Sequence, residues 1–197
     1  MVFYIVSILT CMAIIATINI IFTVPIFGFG VWYVILAVIL STISVIIVDL
    51  IFALIVRRAL PEKWFAVDKT CYNASKKERV FYEKLGIKKW KDKILELGAL
   101  SGFRKNHVLK PNDNEYVERY ILEANYGIIV HVADIIFGFL IIFIYPLEYF
   151  LCFGVPVALV NAVLNLLPMM VLRYNLPKLH ALREFNIKRQ KRLVVKN

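Results

Sequence analysis

All 24 lysines and arginines of this 197-residue chain fall in two stretches, 16 from Arg57 to Arg119 and 8 from Arg173 to Lys196, and the apolar remainder carries none. Membrane insertion keeps short Lys- and Arg-rich loops on the cytoplasmic side, and two such stretches share a side only when an even number of spans separates them. The pattern predicts an all-α integral membrane protein with four transmembrane helices in two hairpins. A long basic amphipathic segment lies between the hairpins, and both termini are expected in the cytoplasm at the cell membrane.

Length supports this reading. Val2 to Pro25 is uncharged and Val31 to Val56 contains only Asp49, so each exceeds the roughly 20 apolar residues that cross the hydrocarbon. Thr23 to Gly30, with Pro25, Gly28 and Gly30, reads as the turn between them. The second hairpin is expected from Ile128 to Ile144, turning through Tyr145, Pro146 and Glu148 and returning from Phe150 to Leu172. Gly138, Gly154, Pro156 and Pro168 lie in or near it, and the backbone groups they free need other helices, polar side chains or water. The resulting organisation is a transmembrane hairpin at 1–56, a basic cytoplasmic or interfacial segment at 57–126, a second hairpin at 127–172 and a basic cytoplasmic tail at 173–197.

A hydrophobic content of 60% and a mean hydropathy of +0.72 argue against a soluble core. Met1 to Thr23 lacks the basic start and short apolar core of a cleaved signal, so the first helix is read as retained. Cys11, Cys71 and Cys152 have no metal or redox spacing and His107, His131 and His180 are scattered, so neither a disulfide framework, a metal site nor a cofactor is expected. The net charge of +10 comes without any nucleic-acid recognition motif, and anionic lipid headgroups are the expected partner.

Arg57 to Glu123 is too long for a mere connector. Val80, Phe81, Leu85 and then Ile87, Trp90, Ile94, Leu97 recur at helical spacing with Lys88, Lys89, Lys91 and Lys93 between them, interrupted by Gly86. Such a helix either lies in the interface with Trp90 at headgroup level or caps the cytoplasmic end of the bundle. Gly98 to Pro111 is loop-like, and Asn112 or Asp113 offers an N-cap for a helix running into the third span.

Polar residues inside spans are expensive and usually face a bundle interior or a wet cavity. Asp49 lies eight residues before Arg57, His131 and Asp134 share a helix face, and Asn161 and Asn165 share another, with Asn165 eight residues before Arg173. Asp49 and Asn165 are each about 12 Å from the cytoplasmic boundary, and His131 and Asp134 are expected at a similar depth. Singly, each has a plainer explanation: an interfacial histidine, a snorkelling aspartate, asparagines that hold helices together. Jointly they predict one polar layer in the cytoplasmic leaflet, roofed by Arg173, Tyr174 and Asn175. A histidine such as His131 can exchange a proton at physiological pH, and a nearby carboxylate such as Asp134 could set its tautomer and raise its basicity.

The run Tyr82-Glu83-Lys84-Leu85-Gly86-Ile87-Lys88-Lys89-Trp90-Lys91-Asp92-Lys93-Ile94-Leu95-Glu96, Glu123 eight residues before His131, and Arg173-Tyr174-Asn175-Leu176-Pro177-Lys178-Leu179 occur in that order. This pattern resembles the glycosyl-4,4′-diaponeurosporenoate acyltransferase family of staphyloxanthin-type carotenoid biosynthesis, over roughly Phe81 to Arg183. Asn165 also matches an asparagine preceding the Arg-Tyr-Asn block. The chain departs from the family at Ile128, where an acidic residue is usual, at Val132, where Trp is, and at Leu176, where a second arginine often stands.

The resemblance implies a membrane enzyme that esterifies a fatty acyl chain onto a sugar hydroxyl of a glycosylated isoprenoid or other glycolipid. On this reading His131 is the general base, with Asp134 or Glu123 orienting it, and Arg173 and Asn175 stabilise the oxyanion or bind donor phosphates. Tyr174, Asn165, Trp90, Lys91 and Asp92 join the substrate-binding set, and Lys91, Lys105 and His107 recruit an anionic acyl donor such as acyl-CoA. No Gly-x-Ser-x-Gly elbow supports a serine acyl-enzyme. The competing class is a non-catalytic lipid-binding scaffold or subunit, which needs Trp90 and the lysines but not His131. A transporter has no internal repeat to support it, and an oligomer is compatible with everything above.

Overall fold

The computed structural model describes residues 2–94, 108–146, 149 and 151–196. Among these, the regular elements are helical: α1 (Val2–Phe27), α2 (Val31–Ala59), α3 (Lys76–Lys84), α4 (Ile87–Trp90), α5 (Asn114–Phe137) and α6 (Gly154–Lys196). Short 3-10 turns occupy Glu62–Trp64, Thr70–Tyr72, Lys91–Lys93 and Gly138–Ile144. Four stretches, Ile5–Phe27, Val31–Ala59, Asn114–Ile144 and Gly154–Leu193, are long and apolar enough to cross a membrane. The chain is an all-helical membrane protein.

Local chemistry sets the helix ends. Gly28 takes a left-handed φ of +69° and closes α1 with its N–H on Val24 O at 2.9 Å, a conformation glycine adopts without a Cβ clash. Asp113 caps α5, its carboxylate accepting the Tyr116 N–H at 3.2 Å, and α5 therefore starts well before Ile128. It gives way at Gly138 to the 3-10 turn rather than continuing as α-helix to Ile144.

The helix α6 has 43 residues, about 65 Å at 1.5 Å per residue, so no more than about half fits within a 30 Å hydrocarbon layer. The basic stretch after Arg173 is its continuation. Pro177 cannot donate to the carbonyl four residues back, and the Arg173 carbonyl instead accepts the Ala74 N–H at 3.1 Å. The freed acceptor is thereby satisfied and the helix runs on.

The chain divides into two compact units, one formed by residues 1–57 and 130–166, the other by 58–129 and 167–197. In the first, Ile15, Val34, Ala37, Val38, Val45, Ile141, Phe153, Val157 and Ala158 form the core. Asn19 is buried there, its amide donating to Ile15 O and Cys152 O, each at 2.9 Å. Ile18, Ile21, Phe22, Leu36, Leu40, Ile47 and Leu50 are exposed, the outward apolar surface expected of helices that face lipid rather than water.

In the second unit, Val117, Tyr120, Ile121, Ala124 and Ile128 recur at helical spacing on α5 and pack with Leu172, Leu176 and Leu179 of α6. Asn125, fully buried, donates to Phe65 O at 2.9 Å and pins the turn after α2. Ser75 and Glu78 form a reciprocal capping box that starts α3. Gly86, at φ +72°, separates α3 from α4 as the sequence suggests.

The helix α4 is a single turn, shorter than the apolar spacing from Ile87 to Leu97 suggests; residues 95–97 lie outside the described residues. Lys88 and Lys91, and Lys89 and Lys93, stand at helical-neighbour spacing, where like charges oppose helix. Ile87 is buried against Met170, Val171 and Tyr174, whereas Val80, Phe81 and Leu85 are exposed. The segment thus has one apolar face packed within its unit and another turned outward.

Candidate active site

Within the first unit the spaced polar residues converge. His131 and Asp134 come from α5, Asn161 and Asn165 from α6, and Asp49 from α2. Asp49 accepts from both asparagines, Asn161 Nδ2 to Oδ1 and Asn165 Nδ2 to Oδ2, each at 3.1 Å. Asn161 Nδ2 also donates to Asp134 O at 3.3 Å, and Asn165 Nδ2 to Asn161 Oδ1 at 3.1 Å. His131 Nδ1 lies 2.9 Å from Asn165 Oδ1.

This network fixes a tautomer. The Asn165 amide nitrogen faces only oxygens, so its carbonyl oxygen is the atom turned to the imidazole. A carbonyl oxygen accepts, so His131 Nδ1 carries a hydrogen, and in the neutral ring the lone pair is on Nε2. Asp49, Asn165 and His131 form a chain from carboxylate through amide to ring. Asp134 is buried, and among the described residues its Oδ1 has no hydrogen-bond partner.

Close packing enforces the geometry. A Cβ at Gly138 would stand 2.5 Å from Asn161 Nδ2, so only glycine lets the Asn161 amide reach both Asp49 and the α5 backbone. Sequence spacing had marked Gly138 only as an irregularity in the span.

The second unit holds a different set. Arg173 on α6 bonds Glu78 of α3 three times, Nη2 to both carboxylate oxygens at 3.0 Å and Nε to Oε1 at 3.2 Å. Its guanidinium also donates to Asn73 O at 3.2 Å and Cys71 O at 3.4 Å. Burial raises the Glu78 carboxyl, but the bonds from Arg173 and from the Ser75 amide outweigh it and hold its pKa at about 2. The neighbouring Tyr174 is buried and its hydroxyl donates to Glu83 Oε1 at 2.8 Å, while Lys88 Nζ lies 3.0 Å from that same oxygen. The Lys88 and Tyr174 contacts lower the Glu83 pKa.

The remaining sequence-derived residues are placed as follows. Trp90 is half-buried with its indole N–H on Leu85 O at 3.0 Å, and Lys91 Nζ lies 3.9 Å from Asp92 Oδ1. Asn175 is half-buried on α6, and Glu123 is half-buried on α5 within the second unit. Lys105 and His107 lie outside the described residues. The structure therefore joins His131, Asp134 and Asn165 to one another through Asp49 and Asn161. It joins Arg173 and Tyr174 to Glu78 and Glu83, acids that the sequence reading gave no role. Only the Ser-x-x-Glu spacing of the capping box singles out Glu78.

A family model described as glycosyl-4,4′-diaponeurosporenoate acyltransferase matches residues 61–184. The chain belongs to that family. The match spans well over half of the chain and contains His131, Asn161, Asn165 and the Arg173-Tyr174-Asn175 block. Asp49, the carboxylate that holds both asparagines, lies on α2 outside the matched segment. No curated protein and no solved structure matches the chain. Membership of the diaponeurosporenoate acyltransferase family assigns the chain in general terms to acyl transfer in carotenoid biosynthesis, with an acyl donor and a glycosylated acceptor.

Proposed function

We propose that the protein is a membrane acyltransferase that esterifies a fatty acyl chain onto a sugar hydroxyl of a glycosylated carotenoid or a related glycolipid. The observation that carries this reading is the His131–Asn165–Asp49 chain, which orients the imidazole by its Nδ1 and leaves Nε2 as the nitrogen that acts as base when the ring is neutral. His131 Nε2 takes the proton of the sugar hydroxyl as its oxygen attacks the acyl carbonyl carbon. The tetrahedral intermediate collapses, the carbonyl–leaving-group bond breaks, and the leaving group departs with that proton. Asn165 orients the ring, and Asp49 fixes the amide that does so. Asp134, three residues after His131 on the same helix face, supports the ring's surroundings.

The other roles follow from position. Glu123 stands about 12 Å from His131 along α5, so Asp134 is the acid nearer to the ring. Arg173, engaged by Glu78, works as a positioning residue for the 71–78 segment. Tyr174, Asn175, Trp90, Lys91 and Asp92 serve substrate binding, a role that rests on the family pattern. The clustering of Lys and Arg supports a cell-membrane location with both termini cytoplasmic.

The test is expression in a host that makes glycosylated carotenoids, followed by mass spectrometry of lipid extracts. Wild type should yield a species heavier by one fatty acyl group, and His131→Ala, at matched membrane levels, should lose about 100- to 10,000-fold of it. Undiminished product from His131→Ala sinks the general-base role, and its absence from the wild type as well favours the scaffold.

A further inference from the structure

We propose that Arg79 and Lys178, placed over the buried ring of Tyr174, form with Lys88 and Lys91 a binding subsite for a phosphate-bearing ligand. The four come from separate places: α3, α4, the turn after it, and α6. The Arg79 guanidinium carbon lies 5.6 Å and Lys178 Nζ 5.2 Å from the centroid of the Tyr174 ring, both within cation–π range. Lys88 is brought in through Glu83, which also accepts from the Tyr174 hydroxyl. Lys91, Arg79 and Lys88 all lie within electrostatic reach of Lys178.

A solvated basic face spreads its charges, whereas this arrangement sets two cations over one aromatic side chain that is 1% exposed, with two more lysines near them. Two carboxylates, Glu83 and Asp92, stand among them, and Glu78 is already committed to Arg173. The cluster therefore keeps an excess of positive charge. Arg79 adds a second sign of an incomplete site: its Nε is buried and has no hydrogen-bond partner among the described residues. A guanidinium held against a ring, flanked by flexible ammonium groups, suits the oxygens of a phosphate, with Arg as a planar donor and the lysines as point charges.

Two sources carry that chemistry: an acyl donor on a phosphorylated soluble carrier, and the phosphodiester of a lipid headgroup. The first deepens the proposed acyl transfer and rests on it. Binding requires no turnover and is measured without it.

The experiment uses the full chain in phosphatidylcholine nanodiscs, titrated with coenzyme A by calorimetry, alongside native mass spectrometry of discs containing phosphatidylglycerol. If the source is soluble, coenzyme A binds wild type and the Arg79→Gln/Lys178→Gln double variant weakens it about tenfold or more. If it is a headgroup, coenzyme A fails to bind but retained phosphatidylglycerol is lost in the double variant. The charge-conserving pair Arg79→Lys/Lys178→Arg should restore most of the binding, which separates lost charge from lost folding, and His131→Ala should bind as wild type does. Failure of acyl transfer would show in lipid extracts and leave these titrations unchanged. Equal binding of both probes by wild type and the double variant, or no binding of either, overturns the proposal.

Discussion

The two units hold their carboxylates by different chemistry. In the unit formed by 1–57 and 130–166, Asp49 is held by the neutral amides of Asn161 and Asn165, and His131 is held by the other end of one of those amides. In the unit formed by 58–129 and 167–197, carboxylates meet cations: Arg173 with Glu78, Arg183 with Glu118 at 2.7 Å, Lys88 with Glu83. The difference follows from solvent. A cation taken into hydrocarbon loses hydration that a single partner rarely restores, whereas an asparagine supplies two donors and an acceptor with no charge to desolvate. Where long basic side chains can reach water, an ion pair is inexpensive to form and adds geometry. Amide-held carboxylates orient the imidazole, and cation-held carboxylates fix loop and helix positions.

The strongest way to break this contrast is Asn165→Leu. It removes in one step the acceptor for His131 Nδ1 and a donor to Asp49. Turnover should fall about 100-fold or more, with a stability loss of about 1–3 kcal/mol from the carboxylate left short of donors. Product formed per mole of protein and thermal unfolding in detergent read the two effects separately. Wild-type turnover from this variant would mean that the ring is oriented by something other than the amide chain.

Most of the fold was legible because apolar run length and Lys/Arg placement act directly on membrane insertion, and α1 and α2 begin and end within a few residues of the expected spans. Helix continuity past Arg173 was not, since it depends on the Ala74 N–H, distant in sequence, satisfying the carbonyl that Pro177 strands. The polar layer was legible residue by residue from the three- and four-residue spacings of His131/Asp134 and Asn161/Asn165. Its wiring was hidden: that Asn165 faces the ring, and that Gly138 clears room for Asn161, are facts of packing between helices. Arg173 likewise read as a group for substrate, because nothing local announces that Glu78, 95 residues away, will take it.

An intermediate effect is expected from Glu78→Gln, which tests whether the charged pairs of the second unit matter as charges. The Glu78 pKa, held at about 2 against an ordinary 4.5, is depressed by folding. Its contribution is therefore present above about pH 4.5 and is lost as pH falls from there towards 2. Its side chain is about a third exposed, so solvent screening keeps the effect below that of a fully buried pair. Unfolding midpoints measured from pH 7 to pH 2.5 should decline below pH 4.5 in wild type and decline less in Glu78→Gln. Identical pH profiles would show that the bonds to Asn73 and Cys71 hold Arg173 without the carboxylate.

The smallest effect sharpens the same point. Ser75→Ala removes the hydroxyl that accepts the Glu78 N–H at 3.2 Å, but leaves Glu78 Oε2 accepting the residue-75 amide at 2.8 Å and both carboxylate oxygens within 3.0 Å of Arg173. Half of the capping box goes and the ion pair stays, so the loss should be about 1 kcal/mol or less with the pH profile of wild type retained. Amide hydrogen exchange over α3 should accelerate while Ala74, bonded to the Arg173 carbonyl, keeps its protection. A loss as large as that of Glu78→Gln, with Ala74 exposed, would instead make the cap the element on which the Arg173 pair depends.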